Sequence, residues 1–293
     1  MVLITHVLKK ACRALTIYYE KKISRFYVNG RSIGFHAVVW YWKTVPFNLR
    51  QNANFLLMLR HTGAKRSFAH NMRLAVLLCL NAGFINAAGF LAFSVLTTNV
   101  TGHAALLAVN TATGDFRSAR MAALWLLLFF AGAFASSLYI TLTGRDKRYA
   151  YTVPIVVIII LVLIVAITGN TYHHLLEETE YFAGILLFSM GMQNALVSMI
   201  SGSVVRTTHL TGMVTDLGID LSTALADKRL AQAHSNKGIV LRLTIILFFL
   251  LGGMGGAVAF SLYSFHSFYV PVCLLLVTLF YDFFRIGIAR RIK

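Results

Sequence analysis

The segment from Val153 to Ile167 contains only Val, Ile, Leu and Ala apart from a single Pro. A helix needs about 20 residues of this kind to cross a bilayer. The rest of the chain shares this character, because 58% of its 293 residues are hydrophobic and only 13% are charged, whereas soluble domains carry about 25% charged residues. The sequence therefore predicts an integral membrane protein and excludes a soluble domain, a disordered chain or a disulfide framework.

Five further apolar segments are long enough to cross a bilayer. Short alternating segments, which are typical of membrane β-barrels, are absent, so the spans are predicted to be helices. The predicted fold is an all-α integral membrane protein with six transmembrane helices. The six spans are residues 74–96, 121–143, 150–168, 182–200, 239–263 and 269–286.

Basic residues lie mainly on one side of these spans. From residue 58 onward, sixteen Lys and Arg residues fall on the side that holds both termini, and only Arg117 and Arg120 fall on the other. Basic connections stay in the cytoplasm, so both termini are predicted to be cytoplasmic. The positive-inside tendency in a lipid bilayer then accounts for the net charge of +17, and no nucleic-acid partner is predicted.

Residues 1–57 form a basic N-terminal extension without a spanning segment. One interpretation is a basic helix lying at the membrane interface, or a disordered segment. The other is that the natural start is Met58. Residues 58–293 are predicted to form the six-span membrane domain.

A short motif occurs twice in the chain. Residues 97–102 read T-T-N-V-T-G, and 110 residues later residues 207–212 read T-T-H-L-T-G. Asn86 and Asn194 precede the two motifs at nearly equal distances. We therefore predict an internal repeat.

The first repeat covers about residues 74–168 and the second about 182–286. Each contains three predicted spans. Because three is an odd number, the second repeat enters the membrane in the opposite orientation. The sequence thus predicts two inverted three-helix repeats.

The two motifs are the predicted solute site. Thr and Asn side chains compete for backbone hydrogen bonds and Gly loosens a helix, so each motif indicates a helix break, and such breaks bind solutes in inverted-repeat transporters. We expect a small-solute or ion transporter or channel. The alternative is a polar loop at the end of a span, followed by an amphipathic surface helix. The predicted lining residues are Thr98, Thr101, Gly102, Thr208, His209, Thr211, Gly212, Asn86 and Asn194.

Asp216 and Asp220 follow the second motif one helical turn apart. Their carboxylates repel each other unless one is protonated or a cation lies between them. Inside a membrane they would couple transport to an ion or a proton, whereas on a cytoplasmic helix they would be ordinary solvated charges. Arg206 is a candidate partner in either case.

Gly252 and Gly256 form a G-x-x-x-G pattern that lets helices approach closely, within the bundle or in a homo-oligomer. The three cysteines are far apart, and no zinc, serine-hydrolase or P-loop motif occurs. We therefore expect no metal, no cofactor and no enzyme, although His209 and Asp216 leave open an intramembrane enzyme acting on a lipid. A second alternative is a membrane scaffold or sensor that binds a partner through the basic loop 228–242.

The motifs resemble the YoaK family of bacterial membrane proteins, a domain family of unknown function. The resemblance rests on T-N-V-T-G-H, on M-G-M-Q-N-A at residues 190–195, and on V-R-T-T-H-L-T-G-x-x-T-D-L-G at residues 205–218. This variant is similar to members from Bacteroidetes-like bacteria, and many relatives have Asn in place of His103. The resemblance covers about residues 58–290 and implies six spans in the bacterial inner membrane. It implies no substrate and no catalytic residue.

Overall fold

The computed structural model describes residues 68–144, 150–171, 176–226 and 236–291, with the backbone alone at residues 69–71, 176–177, 236–237 and 281–291. All of them belong to one compact unit, Asn52–Lys293. The N-terminal extension and the alternative start at Met58 lie outside the described residues. The described chain forms α1 Phe68–Phe93, α2 Val100–Ala112, α3 Phe116–Thr143, α4 Thr152–Thr168, α5 Leu176–Ser201, α6 Leu210–Ala226, α7 Asn236–Tyr263 and α8 Tyr269–Arg291, with 3₁₀ segments at Gly169–Thr171 and Ser264–Phe268.

Five stretches of the described helices are long and apolar enough to cross a membrane. Four correspond to the first four predicted spans, and the fifth runs for 43 residues from Gly238 to Phe280. That run contains both α7 and α8 and the 3₁₀ segment between them. The prediction of an all-helical membrane protein is therefore confirmed for the described residues, while the count of six spans stays a prediction.

The helix ends follow from local chemistry. α1 ends where Ser94 takes a positive φ of 56°, and α5 ends where Gly202 and Ser203 take φ values of 64° and 65°. A residue in this left-handed conformation cannot continue a right-handed helix. The carboxylate of Asp115 accepts a hydrogen bond from the backbone N–H of Ser118, at 3.1 Å, and so caps α3. This cap starts α3 at Phe116, earlier than the predicted span.

Glycines let α1 and α7 touch along their backbones. A Cβ atom at Gly83 of α1 would overlap the carbonyl oxygen of Phe249 in α7. In the other direction, Cβ atoms at Gly252 and Gly256 would overlap the backbone of Leu80 and of α1 one turn further on. Gly252 and Gly256 therefore pack within the chain, as in the bundle interpretation, and a homo-oligomer through them is not supported.

The second close pair of helices is α3 and α5. A Cβ atom at Gly132 would overlap the carbonyl oxygen of Phe188, and one at Gly191 would overlap that of Phe129. The hydrophobic effect is weak between helices surrounded by lipid. Small residues let the two backbones approach closely, so that van der Waals packing stabilises the pair. α1 and α5 are the most buried of the candidate spans and form the centre of the bundle.

α1 and α5 run antiparallel. The amide of Asn81 meets that of Gln193, Gly89 lies against Leu186, and Phe93 stacks on Phe182 with ring centroids 5.9 Å apart. As the residue number on α1 rises, the number of the contacting residue on α5 falls. Only antiparallel helices show this order of contacts. The last residues of α1 thus lie beside the first residues of α5.

The bundle has two distinguishable ends, which we name after their short helices. At the α2 end, Phe93 packs on Phe182 and on Phe265 of the 3₁₀ segment, and Arg120 binds Glu180 at 3.1 Å. The α6 end contains the end of α5, the start of α7 and α6 itself. The short helices α2 and α6 pack on α3 and α7, respectively.

Candidate functional site

The first motif lies in the connection between α1 and the short helix α2. Asn99 caps α2, because its side-chain oxygen accepts a hydrogen bond from the N–H of Gly102 at 3.0 Å. Asn86 Oδ1, about two turns before the end of α1, accepts from both the backbone N–H of Thr98 at 3.0 Å and its hydroxyl at 2.9 Å. We call this double hydrogen bond the Asn86–Thr98 clasp. The clasp holds the connection between α1 and α2 against the side of α1.

His103 lies between the connection that contains the first motif and α3. Its side chain is buried, its Nε2 lies 2.9 Å from the carbonyl oxygen of Leu96, and its ring centroid lies 5.2 Å from that of Trp125 in α3. α2 is outside the candidate spans. Burial lowers the pKa of His103, so the ring is neutral at pH 7. Nothing in the sequence, including the repeat, points to Trp125.

The second motif repeats the backbone design of the first. Thr207 is as deeply buried as Thr97, and the backbone oxygen of His209 accepts from Met213 at 3.1 Å, as that of Asn99 accepts from His103. The ring of His209 lies over Gly212, where a Cβ atom would overlap it. The motif therefore starts α6 in the way that the first motif starts α2.

The clasp is made in one half only. Asn194 is the sequence equivalent of Asn86, yet its buried Oδ1 has no hydrogen-bond partner among the residues that the structure describes. The oxygen lies about two turns before the end of α5, as that of Asn86 does in α1. The two motifs thus have similar backbone hydrogen bonds, but only the first is joined to the preceding long helix by an Asn–Thr clasp.

The structure does not bring the two motifs together. The first follows the end of α1 and the second follows the end of α5, and these helices are antiparallel, so the motifs lie at opposite ends of the bundle. Each is followed by a short helix, as the loop interpretation expects. One group of lining candidates is at the α2 end, namely Thr98, Thr101 and Gly102. The other is at the α6 end, namely Thr208, His209, Thr211 and Gly212.

An arginine side chain lies beside both Asp216 and Asp220, which is one of the two arrangements that their spacing allows. The guanidinium of Arg242 in α7 binds Asp220 directly and lies 3.6 Å from Asp216. The partner is thus Arg242 rather than Arg206, which the sequence had suggested. Arg242 also ends the predicted partner-binding loop, whose residues 227–235 lie outside the described residues.

A polar pair lies in the centre of the bundle. Asn81 Nδ2 donates to Gln193 Oε1 at 2.7 Å, and Gln193 Nε2 donates to the carbonyl oxygen of Leu78 at 2.9 Å. Both side chains are fully buried. Polar groups of this kind hold transmembrane helices together, so this pair is structural in the observed conformation.

These helices and contacts define a polytopic α-helical membrane protein with two short helices at its opposite ends. In the described ranges, no group of three or more His, Cys, Asp or Glu residues is placed to hold a metal ion. A family model described as "Protein of unknown function (DUF1275)" matches residues 74–281. The chain therefore belongs to the DUF1275 family, which includes the YoaK proteins, and the resemblance is confirmed. No curated protein and no solved structure matches the chain.

Proposed function

We propose that the chain is an inverted-repeat transporter that moves a small solute or ion across the bacterial inner membrane. The observation that carries the proposal is that the long helices of one half pack mainly on those of the other half. The first long helix of each half packs on the second long helix of the other, α1 on α7 and α5 on α3. Together with the antiparallel course of α1 and α5, this is the relationship expected for repeats related by an axis in the membrane plane.

The close contacts match residue by residue. Gly83 and Gly191 are 108 positions apart in corresponding helices, and each approaches the carbonyl oxygen of a Phe. The two Phe residues, Phe249 and Phe129, are 120 positions apart in the other pair of corresponding helices. Packing that repeats in this way supports a common ancestry of the halves.

The lengths of the helices support six crossings. The run from Gly238 to Phe280 contains 43 residues, and a helix of that length measures about 64 Å at 1.5 Å per residue. The hydrocarbon core is only about 30 Å thick, and the 3₁₀ segment divides the run in two. On this topology the positive-inside rule places the α6 end and both termini in the cytoplasm.

The unequal clasps support a cycle between two states. In a transporter of this type, one repeat rocks or gates against the other when access to the site changes sides. The clasp at Asn86 is closed and the equivalent oxygen of Asn194 has no described partner. We propose that the Asn194–Thr208 clasp closes when the Asn86–Thr98 clasp opens, so that Asn86 and Asn194 act in alternation.

Asp216 and Asp220 are assigned to the closure of the α6 end in this scheme. Arg242 joins the two carboxylates to α7, and release of this contact would free α6 to move and the carboxylates to bind a coupling ion. Of the loop named in the scaffold alternative, the guanidinium of Arg242 is engaged within the chain.

Transport is tested with the full chain in proteoliposomes. The vesicles are loaded with an isotope-labelled extract of small metabolites, and the solutes lost are measured by mass spectrometry against protein-free vesicles. An Asn86→Cys/Thr98→Cys pair, in a background without the native cysteines, should stop the loss when oxidised and restore it when reduced. The two single-cysteine variants are the controls. If the wild-type vesicles lose nothing beyond the protein-free ones, the transporter proposal is wrong.

The inverted topology is tested separately. Thr101→Cys and Thr211→Cys occupy equivalent exposed positions of the two motifs. A membrane-impermeant maleimide added to intact cells should label the first variant and not the second, and should label both after permeabilisation. Labelling of both in intact cells would contradict the topology.

A further inference from the structure

The first motif leaves two complementary polar groups unused. A carbonyl oxygen only accepts, so the contact of His103 Nε2 with Leu96 at 2.9 Å places the proton on Nε2 and makes Nδ1 of the neutral ring an acceptor. His103 Nδ1 is buried and has no partner in the described part of the chain. The indole N–H of Trp125, a donor, is also buried and unpaired within those ranges.

The two groups belong to neighbouring rings. The ring centroids of His103 and Trp125 are 5.2 Å apart. An oxygen that accepts one hydrogen bond and donates another bridges nitrogen atoms up to about 6 Å apart. Only a hydroxyl group or a water molecule does both. Buried donors and acceptors are normally satisfied, so this pair calls for such an oxygen.

We propose that His103 and Trp125 bind a hydroxyl group of a small uncharged solute at the α2 end. The hydroxyl donates to His103 Nδ1 and accepts from the Trp125 indole N–H. This inference rests on the proposed transport function and names the class of solute for it. An uncharged solute is favoured because the polar side chains around the break, those of Asn86, Thr98 and Asn99, carry no charge.

The recognition is confined to one end. The positions equivalent to His103 and Trp125 in the second half are Met213 and Ile245, 110 and 120 residues later. Both are buried apolar side chains that offer the hydroxyl no hydrogen bond. The solute is therefore held in this way at the α2 end and not at the α6 end.

Binding is tested on the full chain in nanodiscs labelled with ¹⁵N-tryptophan, and Trp125→Phe identifies the indole signal of Trp125. Glycerol is the hydroxyl probe. Acetone, which accepts and cannot donate to His103, is the matched control. The Trp125 signal should shift saturably with glycerol and not with acetone, and His103→Leu should weaken glycerol binding about fivefold or more, the value of one neutral hydrogen bond. His266→Leu, at the same end of the bundle, should leave binding unchanged.

A shift that does not saturate with glycerol, or an equal shift with acetone, would show that the pair holds only water and would overturn the proposal. If His103→Leu does not fold, Trp125→Phe replaces it, and glycerol flux in proteoliposomes should fall about fivefold. A saturable shift without any transport would leave the site standing and reject the transporter. Transport without the shift would support the transporter and reject the hydroxyl site.

Discussion

Asn81 and Gln193 are 112 residues apart in the chain, and their amides form a buried hydrogen bond of 2.7 Å between α1 and α5. Gln193 also donates to the carbonyl oxygen of Leu78, at 2.9 Å. The pair therefore joins the first long helix of one half to that of the other, in the part of the bundle where water does not compete.

Loss of this pair should destabilise the bundle. Gln193→Leu leaves the amide of Asn81 without its partner, and we expect a loss of about 1–2 kcal/mol in the free energy of unfolding. The Asn81→Ala/Gln193→Ala double-mutant cycle should give a coupling energy of about 0.6–1.7 kcal/mol. Unfolding in SDS measures both values. Asn110→Leu on the half-exposed face of α2 is the control, and a coupling energy of zero would remove the pair from the stabilising contacts.

The glycine contacts predict equal effects in the two halves. Gly83→Ala and Gly191→Ala each place a methyl group against a backbone carbonyl, which cannot move aside as a side chain does. Each should lower stability by about 1–3 kcal/mol, the typical cost of overpacking. Gly255→Ala is the matched control, because a Cβ atom there meets nothing within 4 Å. Melting temperatures in detergent provide the comparison, and a stable Gly83→Ala variant would contradict the close approach of α1 and α7.

The ion pairs of Arg242 should be unequal. Asp220 binds the guanidinium directly and its side chain is 14% exposed, whereas Asp216 is 47% exposed and lies 3.6 Å away. We expect Asp220→Asn to free α6 from α7, and Asp216→Asn to change stability by less than about 0.5 kcal/mol, as for exposed pairs. Limited proteolysis between α6 and α7 reports the difference. Equal protection of both variants would show that the contact does not hold α6.

The cap of α3 should weaken in acid. Hydrogen bonds from the Ser118 hydroxyl and backbone N–H, and the charge of Arg117, hold the pKa of Asp115 below its ordinary value of 3.8. A group with a lowered pKa in the folded state stabilises it above the ordinary pKa and loses this effect as the pH falls through the lowered value. Amide exchange of the first turn of α3, corrected for the intrinsic rate, should therefore rise below about pH 4.

Asp115→Asn separates charge from capping. The Asn side chain still accepts a hydrogen bond at the N-cap and does not titrate. Its first turn should show the same corrected exchange at every pH. If this variant keeps the acid response of the wild type, another group causes it.

The sequence predicted the helices well because their signal is local. The run from Val153 to Ile167 is apolar whatever it packs on, and the T-T-x-x-T-G motifs disrupt a helix wherever they lie. Partner choice is not local. Arg242 reaches Asp220 only because α6 folds back on α7, and Trp125 reaches His103 only because α2 folds back on α3. A match between two motifs also does not fix their distance, and the antiparallel course of α1 and α5 separates them.

The glycine contacts have a consequence for the origin of the chain. Gly83 and Gly252 belong to different halves, as do Gly132 and Gly191, so neither half contains the partner for its own small-residue faces. A half-length chain would satisfy those faces only against a second copy inserted the opposite way up. On the proposed topology, the protein would be the fused form of such a dual-topology homodimer, with His103 and Trp125 in one half and Asp220 and Arg242 in the other.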